Sequence, residues 1–563
     1  MTLIDWLARW ATEKSDAKAF VFAPDRAKHI HLTFAELLRR SRALALRLTQ
    51  HTEPGDRAVF LFPAGLDFIV AYLGCLAAGV IAVPLMVPRR TEARDSSAAV
   101  IADSAPRLAM TSTELLEARP DIADRFHDAS FEWMTVNAMA EADEEPGELP
   151  SLGGDDLALL QYTSGSTSTP KGVMVTHDNL LANMEMIRQR MGNTALSTSV
   201  GWVPLYHDMG LMMELMQPLY LGATSVLMAP AAFMQRPLNW LRLIDRYRAE
   251  VTSAPNFAYD LCVSRFREDQ MAGIDLSCWK VAMNAAEPVH GETIERFAAT
   301  FAPYGFAAGA MYPAYGLAEA TLLVSGGERG VVPRTRSVSA AALQRLEIAP
   351  AAEGDTQVLV SCGAIMPGQH VAIVDPDMRC RSATGRIGEI WVSGANVARG
   401  YWRNPAATAD AFQAQIASEP GEHWLRTGDL GLLDEQGELF VTGRIKDLII
   451  IRGVNHYPQD IERTVQESHP ALRRDGGAAF AVSDEDGNER LAVVQEVERT
   501  HRNSVDEAEV TRCIREALAR QHEIAVHVIA LIPPATLPKT TSGKVQRSMA
   551  RRLLLEGTLP ALN

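Results

Sequence analysis

A chain of 563 residues, 47% of them hydrophobic, can bury several cores, and its length leads us to expect two or three domains. The formal net charge of -15 excludes a protein that tracks nucleic-acid phosphates, so any phosphate site must be local. Six cysteines scattered without C-x-x-C or zinc-like spacing suit a reducing compartment. With no basic leader and no run of about 18 uncharged apolar residues, a cytoplasmic protein without a transmembrane segment is expected.

In chain order, residues 3–11 place apolar side chains at helical spacing. Thr33 followed by Glu36, ahead of Leu37 and Leu38, is a capping-box signature for a helix reaching about residue 48. Residues 56–62 read as a strand, 66–79 as a helix closed by Gly79, and 80–84 as the next strand. Such alternation implies a mostly parallel sheet covered on both faces. The acidic stretch 141–154, with Pro and Gly, reads as an exposed connection.

Residues 157–162 and 173–175 read as short buried strands, leaving 163–172 as the turn between them. That turn offers the hydroxyls of Thr163, Ser164, Ser166, Thr167, Ser168 and Thr169, close backbone approach at Gly165 and Gly172, and the charge of Lys171. Many N–H and O–H donors in one loop suit a phosphate. No Walker loop can be read, because the lysine precedes its glycine. Taken alone, the cluster reads more readily as a polar surface loop with a solvated lysine.

A helix follows from 176–179, with Leu180, Met184, Ile187 and Met191 on one face, and the apolar region 201–210 then carries His207 and Asp208. Residues 251–255, 281–284 and 311–315 read as short strands running into loops, where open α/β sheets bind ligands. Segment 328–357 is poor in large apolar residues, looks inserted, and has one helical pattern at 340–346. Short β segments follow at 357–360, 370–374 and 388–392. Beyond a boundary near 443–447, a helix at 458–468, strands at 478–482 and 492–497, a helix at 507–520 and a strand at 526–531 make a compact α+β unit.

The fold class expected is therefore α/β. A large N-terminal region, 1–443, would contain mostly parallel sheets covered by helices, an insertion at about 328–357 and a β-rich subdomain at about 358–443. A hinge at 444–446 would lead to a small mobile C-terminal domain, 447–563.

Seven motifs stand in one order: the loop 163–172; Pro204-Leu205-Tyr206-His207-Asp208-Met209-Gly210; Asn284-Ala285-Ala286-Glu287-Pro288; Tyr315-Gly316-Leu317-Ala318-Glu319; Leu425-Arg426-Thr427-Gly428-Asp429; Gly443-Arg444-Ile445-Lys446-Asp447; and Pro538-Lys539-Thr540-Thr541-Ser542-Gly543-Lys544. Each is weak singly. Together they span nearly the whole chain, which resembles the adenylate-forming superfamily of acyl-CoA synthetases, nonribosomal adenylation domains, luciferases and fatty acyl-AMP ligases.

The resemblance implies ATP and Mg²⁺ as cofactors, with Thr163, Ser164, Gly165, Ser166, Thr167 and Lys171 on the β- and γ-phosphates and Glu319 on the metal. It implies that Tyr315, leading into Gly316 and Leu317, and the turn Ala285, Ala286, Glu287 flank the adenine. Asp429 suits the ribose hydroxyls, with Arg444 donating near the ribose and phosphate. A carboxylate must attack the α-phosphorus while pyrophosphate leaves, so catalysis is mostly positioning and cation placement. Lys544, on a glycine-flanked loop, is assigned charge stabilisation between the two anions. His207 would line the acyl entrance, Lys446 stands at the hinge position, and Met209, Gly210, Met213 and Phe233 would line the acyl pocket.

Read singly, His207 is equally a satisfied core histidine, Asp429 a turn residue, Glu319 a helix-start acid and the methionines ordinary core. Residues 206–211 and 452–462 look most like fatty acyl-AMP ligases, which pass the acyl group to the phosphopantetheine thiol of an acyl carrier protein. Segment 328–357 fits the insertion by which that subgroup hinders the rotation used with coenzyme A. The partners implied are a fatty acid and a separate acyl carrier protein, with no nucleic acid. A fatty acyl-CoA ligase and a non-catalytic nucleotide- or carrier-binding module stand as alternatives, and retention of Lys544, Glu319 and Asp429 speaks against the module.

Overall fold

The computed structural model describes residues 1–563 except 26, 89–95, 127–129, 140–146, 164–169, 452–453, 485–488, 540–543 and 563. Its framework is two large sheets. In the six-stranded sheet the order is Glu132–Val136, Leu108–Ser112, Arg57–Leu61, Ile81–Leu85, Leu157–Thr163, Lys171–Thr176, parallel throughout except for the last, antiparallel pair. Helix Asp67–Ala78 has every residue after Asp67 buried, so it is covered on all sides and shows no polar face. The expected capping box is formed: Thr33 Oγ1 accepts from Glu36 N, and Thr33 N donates to the Glu36 carboxylate.

The nine-stranded sheet is parallel in its centre and antiparallel at both ends. Strands Ser199–Gly201, Val251–Ala254, Val281–Asn284 and Met311–Gly316 run side by side, so their carboxyl ends deliver the loops that follow to one edge. Strand Lys18–Phe22, not picked out from the sequence, pairs parallel with Ser225–Leu227 some two hundred residues downstream.

Two expectations are corrected. The turn assigned to 163–172 is shorter, because Thr163 pairs with Lys171 and Tyr162 with Gly172 as rungs of the antiparallel ladder. A side chain at Gly172 would meet the ring of Tyr162, so this glycine serves cross-strand packing. Strand Gln357–Val360, expected to open the β-rich subdomain, instead pairs with Thr335–Val338, so both ends of the inserted-looking segment close on each other. The four-stranded sheet consists of His370–Val374, Gly388–Ser393, Leu425–Leu433 and Leu439–Arg444.

The C-terminal part has a three-stranded sheet, Leu472–Ser483, Glu489–Val497 and Val526–Ile532, with helices Pro458–Glu467, Glu507–His522 and Arg547–Leu555. Its core gathers Ile461, Val465, Leu491, Val493, Ile514 and Leu518. Among the described residues no helix is long and apolar enough to cross a membrane.

Candidate active site

Asp429 lies within strand Leu425–Leu433, directly opposite Arg444 across the ladder, which rules out the turn-residue reading. Arg444 Nε donates to its Oδ1 at 2.7 Å and Tyr315 Oη donates to its Oδ2 at 2.8 Å. The Asp429 charge raises the Arg444 guanidinium further above its ordinary range, and burial pushes the Tyr315 phenol well up, with Asp429 adding to it. Tyr315 ends the strand Met311–Gly316, and Leu317 N donates to Leu322 O at 2.9 Å as the chain turns back.

Glu319 sits in the short 3-10 turn Ala318–Ala320. Burial raises its carboxyl and a bond from Tyr401 opposes that rise: Tyr401 Oη donates to Oε1 at 2.8 Å. Thr321, buried and β-branched, adopts φ 65°, ψ −57°, while Leu322 N donates to Ala320 O at 2.7 Å, a γ-turn of strained geometry. Thr321 Oγ1 donates to Asn396 O at 2.7 Å, and Asn396 Nδ2 donates to Ala320 O at 2.9 Å, so the strain is held from both sides. Lys171 Nζ stands 4.7 Å from the Tyr401 ring centroid. Ser164, Gly165, Ser166 and Thr167 lie outside the described residues.

His207 is only partly buried, and its Nδ1 pairs with Asp208 Oδ1 at 2.7 Å, unlike a core histidine. Burial alone would raise the Asp208 carboxyl, but His207 and then Lys544 hold it down at about 2. Burial pushes the Glu287 carboxyl up to about 7, against a 2.6 Å bond donated by Phe257 N and the nearby charge of Lys544. The charge of Lys544 is thus felt by both Asp208 and Glu287, which follow different strands of the sheet. Ala286, beside buried Ala285, takes φ 72°, a left-handed conformation costly for alanine. Lys446 lies in the 3-10 turn Ile445–Asp447.

Met209 and Met213 are buried in one core, and a side chain at Gly210 would collide with the Pro204 carbonyl oxygen. Phe233 belongs to a different core, stacked on Trp202 with centroids 3.9 Å apart, so the structure does not bring it together with the methionines. After Asp208–Gly210 the chain widens into a π-helix, Leu211–Met216. It buries Glu214, whose Oε1 accepts from Ser253 Oγ at 2.7 Å, and burial pushes this carboxyl up to about 8. Gly201 leaves room for that carboxyl. Glu214 and Tyr401 were missed from the sequence; a lone acid in the apolar run 209–216 was the one available signal.

Parallel strands that deliver charged loops to one edge, followed by an α+β unit, give the fold of an adenylate-forming enzyme. Residues 7–402 match the AMP-binding enzyme family, to which this chain belongs, and residues 446–563 match the AMP domain of the Disco-interacting protein 2-like kind. The chain is 44% identical to the medium-chain-fatty-acid–(acyl-carrier-protein) ligase JamA of Moorena producens (strain JHB), covering 99% of this chain and 96% of that protein. It is 38% identical to the 4-hydroxyphenylalkanoate adenylyltransferase of Mycobacterium marinum (strain ATCC BAA-535 / M), over 97% of this chain and 90% of that one. It also resembles the fatty acyl-adenylate ligase of L. pneumophila solved with acyl adenylate and pyrophosphate, with 37% identity, TM-score 0.75, and 100% and 97% of the two chains covered.

Proposed function

We propose that the protein activates a fatty acid with ATP to the acyl-adenylate and passes the acyl group to the phosphopantetheine thiol of a separate acyl carrier protein. The match of residues 7–402 to the AMP-binding enzymes and the likeness to a ligase solved with acyl adenylate carry the adenylation reading. The acceptor rests on the likeness, over nearly the full length of both chains, to an acyl-carrier-protein ligase.

A fatty carboxylate oxygen bonds to the α-phosphorus, the bond from that phosphorus to the β-bridging oxygen breaks, and pyrophosphate leaves with the electron pair. Lys544 screens the two approaching anions, and His207 orients the carboxylate. The loop from Thr163 to Lys171 binds the outer phosphates, Asp429 and Arg444 bind the ribose side, and Tyr315 with Ala285, Ala286 and Glu287 borders the adenine. Met209, Gly210 and Met213 form the apolar wall for the acyl chain. In the second step the thiol attacks the acyl carbonyl and AMP leaves.

No cluster of three or more His, Cys, Asp or Glu among the described residues could cage a metal ion. The half-buried carboxylate of Glu319 would hold a Mg²⁺ that arrives on the triphosphate. When bound, the ion neutralises phosphate charge. A cytoplasmic setting is supported by six cysteines, all free.

The division into 1–443, a hinge at 444–446 and 447–563 is part of the same reading. Gln357 Nε2 donates to Asp460 Oδ1 at 2.7 Å and Asn455 Nδ2 donates to Gln344 O at 3.0 Å, so segment 328–357 holds the small domain. Val338, Leu343 and Leu359 pack in one core with Tyr457. Such a brake on rotation about Lys446 disfavours coenzyme A as acceptor.

The test is product identification by mass spectrometry with ATP, Mg²⁺ and acids of graded length. Acyl-AMP that persists with coenzyme A and is consumed by phosphopantetheinylated carrier protein supports the reading. Efficient acyl-CoA formation overturns the acceptor, and no adenylate with any acid overturns the whole.

A further inference from the structure

The chain from Ala398 to Trp402 is stitched to two parts of the site at once. Ala398 N donates to Glu319 O at 2.9 Å. On the other side Arg399 N donates to Met174 O, Met174 N to Gly400 O and Trp402 N to Gly172 O, at 2.9, 2.9 and 2.7 Å, adding a short rung of backbone to strand Lys171–Thr176. Tyr401 stands at the middle of this splice. Thr408 Oγ1 accepts its N–H at 2.9 Å, and Phe412 packs edge-on against its ring at 5.1 Å.

The ring and hydroxyl of Tyr401 then do different things. The hydroxyl donates to Glu319 Oε1 at 2.8 Å, and the ring lies 4.7 Å from Lys171 Nζ. Among the described residues Lys171 makes no ion pair, so an aromatic face steadies the ammonium without neutralising it. A carboxylate in that place would hold the lysine equally well but cancel the charge a phosphate needs. The hydroxyl finds its acceptor in the half-buried carboxylate of Glu319, which would lose a donor without it.

We propose that Tyr401 is a positioning residue that fixes Lys171 and Glu319 relative to each other, so that the cationic and the metal-binding arm meet the triphosphate as one unit. The inference rests on the roles given to Lys171 and Glu319 under Proposed function.

Tyr401→Phe keeps the ring and removes the hydroxyl, and Tyr401→Leu removes both. ATP binding to the full chain is measured by calorimetry with Mg²⁺ and with EDTA, alongside Glu319→Gln and the double variant Glu319→Gln/Tyr401→Phe, with melting temperatures as a check on folding. Tyr401→Phe is expected to weaken ATP binding by about tenfold with Mg²⁺ and by less than about twofold in EDTA. Tyr401→Leu also loses about threefold in EDTA. In the Glu319→Gln background the Phe substitution has no further effect. Wild-type affinity of Tyr401→Phe with Mg²⁺, or a loss that persists in the Gln background, overturns the proposal. Should the Leu variant not fold, the Phe and double variants decide alone. If Glu319→Gln itself binds Mg²⁺ and ATP like the wild type, the role of Glu319 fails and the route through Tyr401 with it; if Glu319→Gln is impaired and Tyr401→Phe is not, only the route fails.

Discussion

The role proposed for Lys544 is to screen the carboxylate and the phosphate as they approach, and its charge already acts on Asp208 and Glu287. A charge that acts between the two reacting anions should matter more to chemistry than to nucleotide binding. Lys544→Ala is expected to slow pyrophosphate release by about a thousandfold while ATP affinity by calorimetry changes by less than about threefold. An unchanged rate would remove the lysine from the reaction. Asp429, Glu319 and Lys544 could be read from motifs because each sits in a short stretch of unusual composition. Tyr401 could not: its partner Glu319 lies 82 positions earlier, and an aromatic beside Gly400 and Trp402 carries no mark of that partner.

At the scale of elements, the π-helix Leu211–Met216 carries a titratable group in apolar surroundings. A glutamate near 4.3 in the unfolded chain and about 8 when folded is protonated in the native state across that interval and ionised in the unfolded one. Its stabilising contribution is therefore complete below the unfolded value and is lost as pH rises toward about 8. Urea midpoints should fall over this range, at a limiting slope of about 1.4 kcal/mol per pH unit from this group, and Glu214→Gln should flatten that part of the profile. Equal profiles would place the titration elsewhere. The γ-turn at Thr321 is a second such element. Asn396→Ala removes the bond to Ala320 O, with an expected loss of about 1–3 kcal/mol in urea unfolding and a weaker Mg²⁺ response of ATP binding. A full Mg²⁺ response with the same stability loss would confine Asn396 to folding. Neither element is visible in periodicity, since one widened turn of helix and one strained residue leave the apolar pattern unchanged.

At the scale of the molecule, the segment 328–357 and the C-terminal part meet through Gln357 with Asp460 and Asn455 with Gln344. Each bond is worth about 1 kcal/mol. Removing both, in Gln357→Ala/Asn455→Ala, should raise acyl-CoA formation up to about tenfold and leave acyl-AMP formation unchanged in a thioester assay. No gain in acyl-CoA would show that other contacts restrain the rotation. What the sequence determined by itself was local: helix caps, the alternation that calls for parallel sheets, and loops whose hydroxyl, glycine and charged residues pack poorly and so stand out. What only the tertiary structure decided was partnership across the chain: Lys18–Phe22 beside Ser225–Leu227, Gln357–Val360 on Thr335–Val338, Tyr401 between Lys171 and Glu319, and Glu214 over Gly201. Propensity and periodicity act over a few residues, whereas these pairings are selected by burial and hydrogen-bond satisfaction among groups that meet only once the sheets have formed.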